Sequence, residues 1–242
     1  MPSLTDRAKP KSPSGSPSET ARFLRHVADD RLACLYELAA YSGLRRGELC
    51  GLCWSDIDPD GAGLSVRRTV VTLTSSQARP RVLVCPICGR EHVGRLFKGP
   101  KSRAGRRWVP LASPAQRALV QHRRRQAEER ESFGSDYLDH DLIFCRIDGD
   151  PLRPDQVSRE FDAHTSQCEL PQINLHDMRH GACSLMLSGG VPVEVVQMIL
   201  GHSSPAVTRR VYAHLLRGAT AEQVEAATAR LSMQPGEHRG PI

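Results

Sequence analysis

The sequence predicts an α+β fold that is mainly helical, with a small antiparallel three-stranded sheet near its N-terminal part. Two observations support this class. Apolar residues recur at helical spacing, several times behind an N-terminal capping signature, over most of the 242 residues. Short segments typical of β-strands cluster within residues 63–111, where Gly and Pro separate them. The chain shows no internal repeat.

The sequence of the N-terminal part predicts two helices and a third, shorter helix. The first helix begins at Ser16, which opens a capping box, and runs through Val27. A second helix covers about 31–42, and Gly43 supplies its stop signal. Residues 42–58 then predict a tight turn and a short helix before an exit rich in turn-forming Ser and Asp.

The predicted strands follow at once. The β-branched run at 63–73 is the first, and shorter segments lie at 81–84, 94–97 and 106–111. With Gly and Pro turns between them, they predict an antiparallel sheet of about three strands.

The C-terminal half predicts helices again. The signature SPAQ opens a long helix, and Val157 and Phe161 share one face of a later one. Gly189 and Gly190 separate the next two. The predicted helices cover about 113–131, 153–164, 176–187 and 191–200, with two further helices from residue 204 and over about 220–231.

The charge balance permits a polyanionic partner. The chain carries 33 Lys and Arg against 27 Asp and Glu, a net charge of +6. Arginine dominates the basic runs, and its planar fork suits phosphate oxygens better than the point charge of lysine does.

Targeting signals are missing from the sequence. No apolar run approaches the ~18 residues that a membrane span needs, and the N-terminal segment lacks the apolar core of a signal peptide. Without an export signal, the eight cysteines are expected to be reduced thiols. We therefore expect a cytoplasmic protein with no membrane partner.

Candidate reactive residues lie in the C-terminal half. His176 and Arg179 are three positions apart, so they share one face of a helix. His202 follows the helix-ending Gly201, and Tyr212 comes ten residues later. Taken singly, each has an ordinary alternative: a capping or solvated histidine, a surface arginine, a packing tyrosine.

Two basic candidates lie earlier in the chain. Arg45 follows the helix-stopping Gly43, and Glu48 is placed three residues on, where it can pair with and orient the guanidinium. Lys101 lies in a Gly-containing turn between two predicted strands. Its ordinary alternative is a solvated edge charge that discourages aggregation.

Together these residue types suit cleavage of a phosphodiester. Two arginines, with histidines assisting, can neutralise the non-bridging oxygens of a pentavalent transition state without a metal. A lysine can protonate the leaving 5′ oxygen. A tyrosine phenolate can attack and form a new phosphodiester that conserves the bond energy for religation.

The same residues lie in sequence boxes that resemble those of the tyrosine recombinases, the phage-integrase family, and in the family's order. The resemblance covers about residues 16–218. The boxes are GLRRGELCGLCWSDID with Arg45 and Glu48, PKSRAGRRWVPL with Lys101, HDMRH with His176, Arg179 and His180, LGHSS with His202, and a TxxxYxH pattern with Tyr212. The resemblance implies that Arg45, Lys101, His176, Arg179, His202 and Tyr212 are catalytic, and that Glu48 and His180 support them.

The resemblance also implies an activity. An integrase-type, site-specific DNA recombinase would cleave and rejoin DNA through a 3′-phosphotyrosyl intermediate, with no cofactor required for catalysis. Its partners would be double-stranded DNA attachment sites, other copies of the chain in a homotetramer on DNA, and a directionality factor. Such a protein would be associated with the nucleoid.

Two alternatives to this function stay open. DNA relaxation of the type IB topoisomerase kind uses the same chemistry without synapsis. A non-catalytic or truncated DNA-binding remnant of an integrase would keep the fold without the reaction. The intact six-residue set argues against a remnant. The expected absence of the family's N-terminal core-binding domain, which clamps the other face of DNA, argues for one.

The resemblance divides the chain into segments. Residues 1–15 are expected to be a disordered tail, residues 16–218 the catalytic domain, and residues 219–242 a C-terminal helix and tail. A hairpin insertion covers about 74–99. The family's N-terminal core-binding domain is expected to be absent.

A helix with polar residues at its start is the candidate DNA-reading element. Arg153, Gln156 and Arg159 lie at positions from which they could reach a DNA groove. The alternative is an ordinary solvated helix face.

The hairpin insertion carries a candidate structural zinc site. Cys85 and Cys88 form a C-x2-C knuckle, and His92 offers a third ligand. A structural site needs four ligands, and no fourth is obvious nearby, so a reduced, solvent-facing hairpin is the alternative. Cys50 and Cys53 form a second C-x2-C beside the first candidate arginine.

Overall fold

The computed structural model describes residues 17–72, 95–99, 105–170 and 173–201. The predicted N-terminal tail, the segment at 81–84 and the helices after residue 203 lie outside these described residues. Within them the chain is mainly helical with short antiparallel strands, so the α+β class is confirmed.

The predicted helices within the described residues are all present, with bounds that differ by a few residues. They are α1 (Pro17–His26), α2 (Ala33–Ser42), α3 (Arg46–Leu49), α4 (Ser113–Phe133), α5 (Pro154–Gln167), α6 (Leu175–Ser188) and α7 (Val193–Leu200). Ser113 is the first helical residue of α4 and not its cap, because the cap position is taken by Ala112, without a side-chain bond. None of the helices in the described ranges has the length and apolar content needed to cross a membrane.

The strands form two small sheets. The strands are β1 (Gly63–Val66), β2 (Thr69–Thr72), β3 (Arg95–Lys98) and β4 (Arg107–Pro110). β1 pairs antiparallel with β4, and β2 pairs antiparallel with β3. The predicted sheet of three strands is therefore not confirmed: the described strands pair two by two.

The single strand predicted over 63–73 is broken by an inward-facing arginine. Arg68 lies between β1 and β2, is buried, and forms two hydrogen bonds to the carboxylate of Asp56, at 2.9 and 3.2 Å. A buried guanidinium needs such a partner. The strand is interrupted at Arg67 and Arg68, and its two halves pair with different strands.

An aromatic cluster joins helices α1, α2 and α5. The ring of Phe23 on α1 lies 5.4 Å from that of Tyr36 on α2 and 4.7 Å from that of Phe161 on α5. All three side chains are fully buried. Burial of each ring contributes about 2–3 kcal/mol to the free energy of folding, so these helices form one core. The predicted apolar face of α5, Val157 and Phe161, is confirmed as buried.

The end of α2 positions the site. Gly43 takes the left-handed conformation, with φ of 63°, as its helix-stopping role predicts. A β-carbon at this residue would lie 2.5 Å from Cδ2 of Leu200 and 3.3 Å from Cβ of Ala182. The turn after α2 therefore packs directly against α6 and the end of α7.

We expect Gly43→Ala to lower the free energy of unfolding by about 2–4 kcal/mol, because it adds overpacking to the strain of a left-handed alanine. Gly61→Ala is the matched control, since Gly61 has φ of 71° but open space around it. The control should lose about 1 kcal/mol. Urea unfolding of both variants checks this, and equal losses would show that the contact with Leu200 costs nothing.

Candidate active site

Three arginines from distant parts of the chain converge on the C-terminal end of α7. Arg107 donates to the carbonyl of Ile199 at 2.6 Å, Arg179 to that of Leu200 at 2.5 Å, and Arg45 to that of Gly201 at 3.1 Å. Carbonyls at a helix C-terminus lack intrahelical partners and carry the negative end of the helix dipole. The helix end therefore acts as a fixed acceptor that gathers the guanidinium groups.

A buried carboxylate holds two of these arginines together. Glu48 accepts from the backbone N–H of Arg45 and from Nη1 of Arg45, both at 2.8 Å. It also accepts from Nη1 and Nη2 of Arg107, at 3.0 and 2.9 Å. The predicted pairing of Glu48 with Arg45 is confirmed, whereas the pairing with Arg107 was not foreseen.

The pKa of Glu48 is set by competing effects. Burial by itself raises the pKa of this carboxyl, but the hydrogen bonds and charge of Arg107, and then those of Arg45, outweigh it. The net result is a pKa below the ordinary value, so Glu48 is ionised at neutral pH.

Within the described ranges, Arg45 has donors left over for an anion. It caps α3, its side chain is 42% exposed, and its described hydrogen bonds use only Nη1 and Nη2, once each. A guanidinium has five N–H donors. Arg45 lines a groove of about 740 Å³ together with Thr69, Asp155 and His176, and this space is large enough for a ligand.

Arg179 lies deeper than Arg45. It is buried and donates to the carbonyl of Gly43 at 2.7 Å as well as to Leu200. Burial, followed by the charge of Arg45, lowers the pKa of Arg179 to about 9, so it is still charged at neutral pH. The sequence places His176 and Arg179 on one helix face, and the structure brings Arg179 beside Arg45 at the end of α7.

His176 lies at the start of α6, on the same groove as Arg45. Asn174 caps this helix and accepts from the backbone N–H of His176 at 2.9 Å. Burial, followed by the charges of His180 and Arg179, lowers the pKa of His176, which favours the neutral imidazole at neutral pH. The ring of His180 lies edge-on to that of His176 at 5.3 Å, which fits a supporting contact.

Arg107 is the site residue that sequence reasoning missed. It lies on β4, where Arg107 and Val109 face inward and Trp108 and Pro110 are exposed. Side chains alternate between the two faces of a strand, so Arg107 lies on the same face as the buried Val109. An arginine on a buried face needs a buried acceptor. That alternation was the available signal.

The other predicted catalytic residues, Lys101, His202 and Tyr212, lie outside the described residues. His202 is next in the chain after Gly201, whose carbonyl Arg45 holds. The predicted zinc ligands Cys85, Cys88 and His92 also lie outside the described residues.

The described ranges contain no cluster of three or more His, Cys, Asp or Glu that could hold a metal ion. Cys50 and Cys53, the second C-x2-C, are both buried in the core. Burial raises the pKa of Cys50 to about 12, which keeps it a neutral thiol.

The predicted DNA-reading residues lie at the N-terminal part of α5. Arg153 and Arg159 are exposed, and both contact the carboxylate of Asp155, at 3.2 and 3.6 Å. Asp155 lines the same groove as Arg45. Gln156 instead donates to Glu160 at 2.8 Å. The two arginines therefore lie next to a residue of the groove, whereas one donor of the Gln156 amide is held by Glu160.

The arrangement suits a phosphate group. Arg45 has donors that no described residue uses, Arg179 adds a buried charge near it, and His176 adds a neutral imidazole at the same groove. Guanidinium donors fixed before the ligand arrives stabilise developing negative charge effectively, because they need no reorganisation.

Comparison with known sequences finds one family. The model of the phage integrase family matches residues 17–218. The chain is 28% identical over 204 residues to a tyrosine recombinase XerC-like protein of Caldanaerobacter subterraneus subsp. tengcongensis, covering 83% of this chain and 50% of that protein. It is 35% identical over 116 residues to an integrase of Saccharopolyspora erythraea, covering 48% of this chain and 26% of that protein. The chain thus spans half or less of these relatives' length.

Comparison with solved structures supports the fold. The Tn1549 transposon integrase, solved in complex with transposon right end DNA, superposes with a TM-score of 0.70 at 21% identity, covering 92% of this chain and 68% of that chain. XerA recombinase superposes with a TM-score of 0.63 at 23% identity, covering 90% and 66%.

The lowered pKa of Glu48 predicts a specific pH dependence of stability. A carboxyl with a lower pKa in the folded state stabilises the fold above its unfolded value, about 4.3, and loses that contribution as pH falls through the folded pKa. Glu48→Gln leaves Arg107 buried without its carboxylate, which should cost about 3–5 kcal/mol at pH 7. This difference from the unaltered chain should shrink as pH falls below about 5.

Urea unfolding from pH 7 to pH 3 measures that difference. Glu128→Gln, on the exposed face of α4, is the control and should follow the unaltered chain. A loss in Glu48→Gln that stays constant over the whole pH range would contradict the assignment.

Proposed function

The chain belongs to the phage integrase family, and on that basis we propose that it is a tyrosine-type site-specific DNA recombinase that cleaves and rejoins DNA strands. One observation carries the proposal most directly. Arg45, with free donors, and Arg179 meet at the end of α7, beside the groove that His176 lines. This is the geometry that binding of a scissile phosphate requires.

In the proposed reaction, the arginines hold the phosphate. Arg45 donates to one non-bridging oxygen from the groove, and the buried charge of Arg179 adds to the field at the same point. As the phosphorus becomes pentavalent, negative charge grows on these oxygens, and fixed guanidinium donors stabilise it more than they stabilise the ground state. Neutral His176 can donate a further hydrogen bond.

The remaining roles fall on residues outside the described ranges. Tyr212 would release its hydroxyl proton to solvent, and its phenolate oxygen would attack the phosphorus and form a 3′-phosphotyrosyl bond, while the bond from phosphorus to the 5′ oxygen breaks. Lys101 would give that oxygen its proton, and His202 would assist at the phosphate. Attack by a 5′-hydroxyl of another strand then reverses these steps, so the reaction needs no cofactor.

The partners follow from the proposed reaction. Double-stranded DNA attachment sites are the substrate, and the Tn1549 integrase, which shares the fold, was solved with transposon DNA. Strand exchange between two duplexes would require a homotetramer on DNA, and a directionality factor would bias its outcome.

A structural zinc at Cys85, Cys88 and His92 remains a separate prediction. The alternative, a non-catalytic DNA-binding remnant, is separated from the enzyme by the next experiment.

We expect Tyr212→Phe to abolish a covalent protein–DNA adduct, because phenylalanine lacks the attacking oxygen. The unaltered chain is mixed with nicked suicide duplexes tiled across the DNA that flanks its gene, and adducts are resolved on denaturing gels. Tyr137→Phe is the matched control, since Tyr137 lies away from the groove, against Cys145. An unaltered chain that retards DNA without forming any adduct would favour the remnant.

We expect Arg153→Ala combined with Arg159→Ala to weaken DNA binding by removing phosphate contacts beside the groove. The slope of log affinity against log salt should become less negative by about 1–2. The measurement uses a labelled duplex of random sequence, since phosphate contacts need no particular bases. Arg124→Ala, on the exposed face of α4, controls for the loss of positive charge. An unchanged slope would remove α5 from the DNA interface.

A further inference from the structure

We propose that Arg107 is a positioning residue of this site, which holds Glu48 and, through it, the phosphate-binding Arg45. The proposal rests on the proposed function and deepens it. It also gives the two arginines different roles: Arg45 binds the phosphate, and Arg107 positions Arg45.

Burial and hydrogen bonds together keep Arg107 from binding a ligand in the groove. Its Nε donates to Ile199, its Nη1 to Glu48 and, at 3.3 Å, to Gly105, and its Nη2 to Glu48. The side chain is only 6% exposed. Four of the five N–H donors of the guanidinium are thus held by described residues, and a side chain this well covered cannot reach a phosphate in the groove.

Arg107 closes a ring of contacts around the site. Arg107 joins Glu48, Glu48 joins Arg45, Arg45 joins the carbonyl of Gly201, and α7 leads back to Ile199 and Arg107. β4 anchors the ring, because Arg107 lies in register with Val66 of β1. A shift at any member is therefore opposed by the others.

The charge of Arg107 also changes what Arg45 can offer. Glu48 carries one negative charge, and without Arg107 that charge would fall on Arg45 alone. Nη1 and Nη2 of Arg107 both donate to the carboxylate of Glu48, at 3.0 and 2.9 Å, so much of the charge of Glu48 is already balanced. Arg45 then keeps more of its positive charge for the phosphate.

The test compares Arg107→Ala and Arg107→Lys with the unaltered chain, using the rate of covalent adduct formation and the affinity for duplex DNA. Arg107→Ala should slow adduct formation by about 10²-fold, because a small misplacement of the phosphate-binding group has that effect. DNA affinity should change by less than about threefold, since Arg107 does not reach the surface. Arg107→Lys should recover about tenfold, because it restores the charge but not the fork. Arg124→Ala is the control for the loss of a positive charge.

A double variant tests whether Arg107 acts through Glu48. If it does, adding Arg107→Ala to Glu48→Gln should slow the reaction by less than about threefold beyond Glu48→Gln alone. A full additional 10²-fold loss would overturn the proposal, as would a weakened DNA affinity at an unchanged rate. If Arg107→Ala fails to fold, the rate and affinity of Arg107→Lys decide the matter by the same criteria.

Hydrogen exchange separates failure of this proposal from failure of the proposed function. If the unaltered chain forms no adduct on any duplex, the proposed function fails. Arg107→Ala should still speed exchange of the amides at the end of α7, such as that of Gly201, by about tenfold or more relative to Arg124→Ala. Unchanged exchange there would overturn the positioning role on its own.

Discussion

The site depends on the C-terminal end of one short helix. Helix α7 ends with carbonyls that have no partner within the helix, and three arginines satisfy them, one just before α3, one on β4 and one on α6. Like charges would not gather without such an acceptor, because their mutual repulsion is strong in a partly buried site. The helix end and Glu48 together supply the negative charge that makes the cluster stable before any ligand arrives.

Burial divides the work among these arginines. Among the described residues, Arg45 is partly exposed with donors left over, Arg107 is covered with four of its five donors used, and Arg179 is buried near Arg45. A buried ion pair contributes little net stability compared with apolar packing, so its value here lies in fixed geometry. Asp56 and Arg68 form a second buried ion pair, which lies at the break between β1 and β2.

Much of the fold followed from local signals in the sequence. Gly43 and Gly201 end their helices in the left-handed conformation, and Val157 with Phe161 buries one face of α5. The pairing of the strands did not follow, because strand propensity says nothing about a partner. Arg68 can be buried only because the buried carboxylate of Asp56 accepts its hydrogen bonds. Asp56 lies twelve residues away, so no local sequence pattern predicts this contact.

The sequence by itself determined which residue types are present, in what order, and on which helix or turn, because these depend on neighbours a few positions away. It thereby identified Arg45, Glu48, His176 and Arg179. Only the tertiary structure decided that Arg107 joins them, since it lies 59 residues from Glu48 and 92 from Ile199. Exposure also separates Arg45 from Arg107, and exposure is a property of the packed chain. Residues far apart in the chain share a site only after the core has placed their helices and strands together.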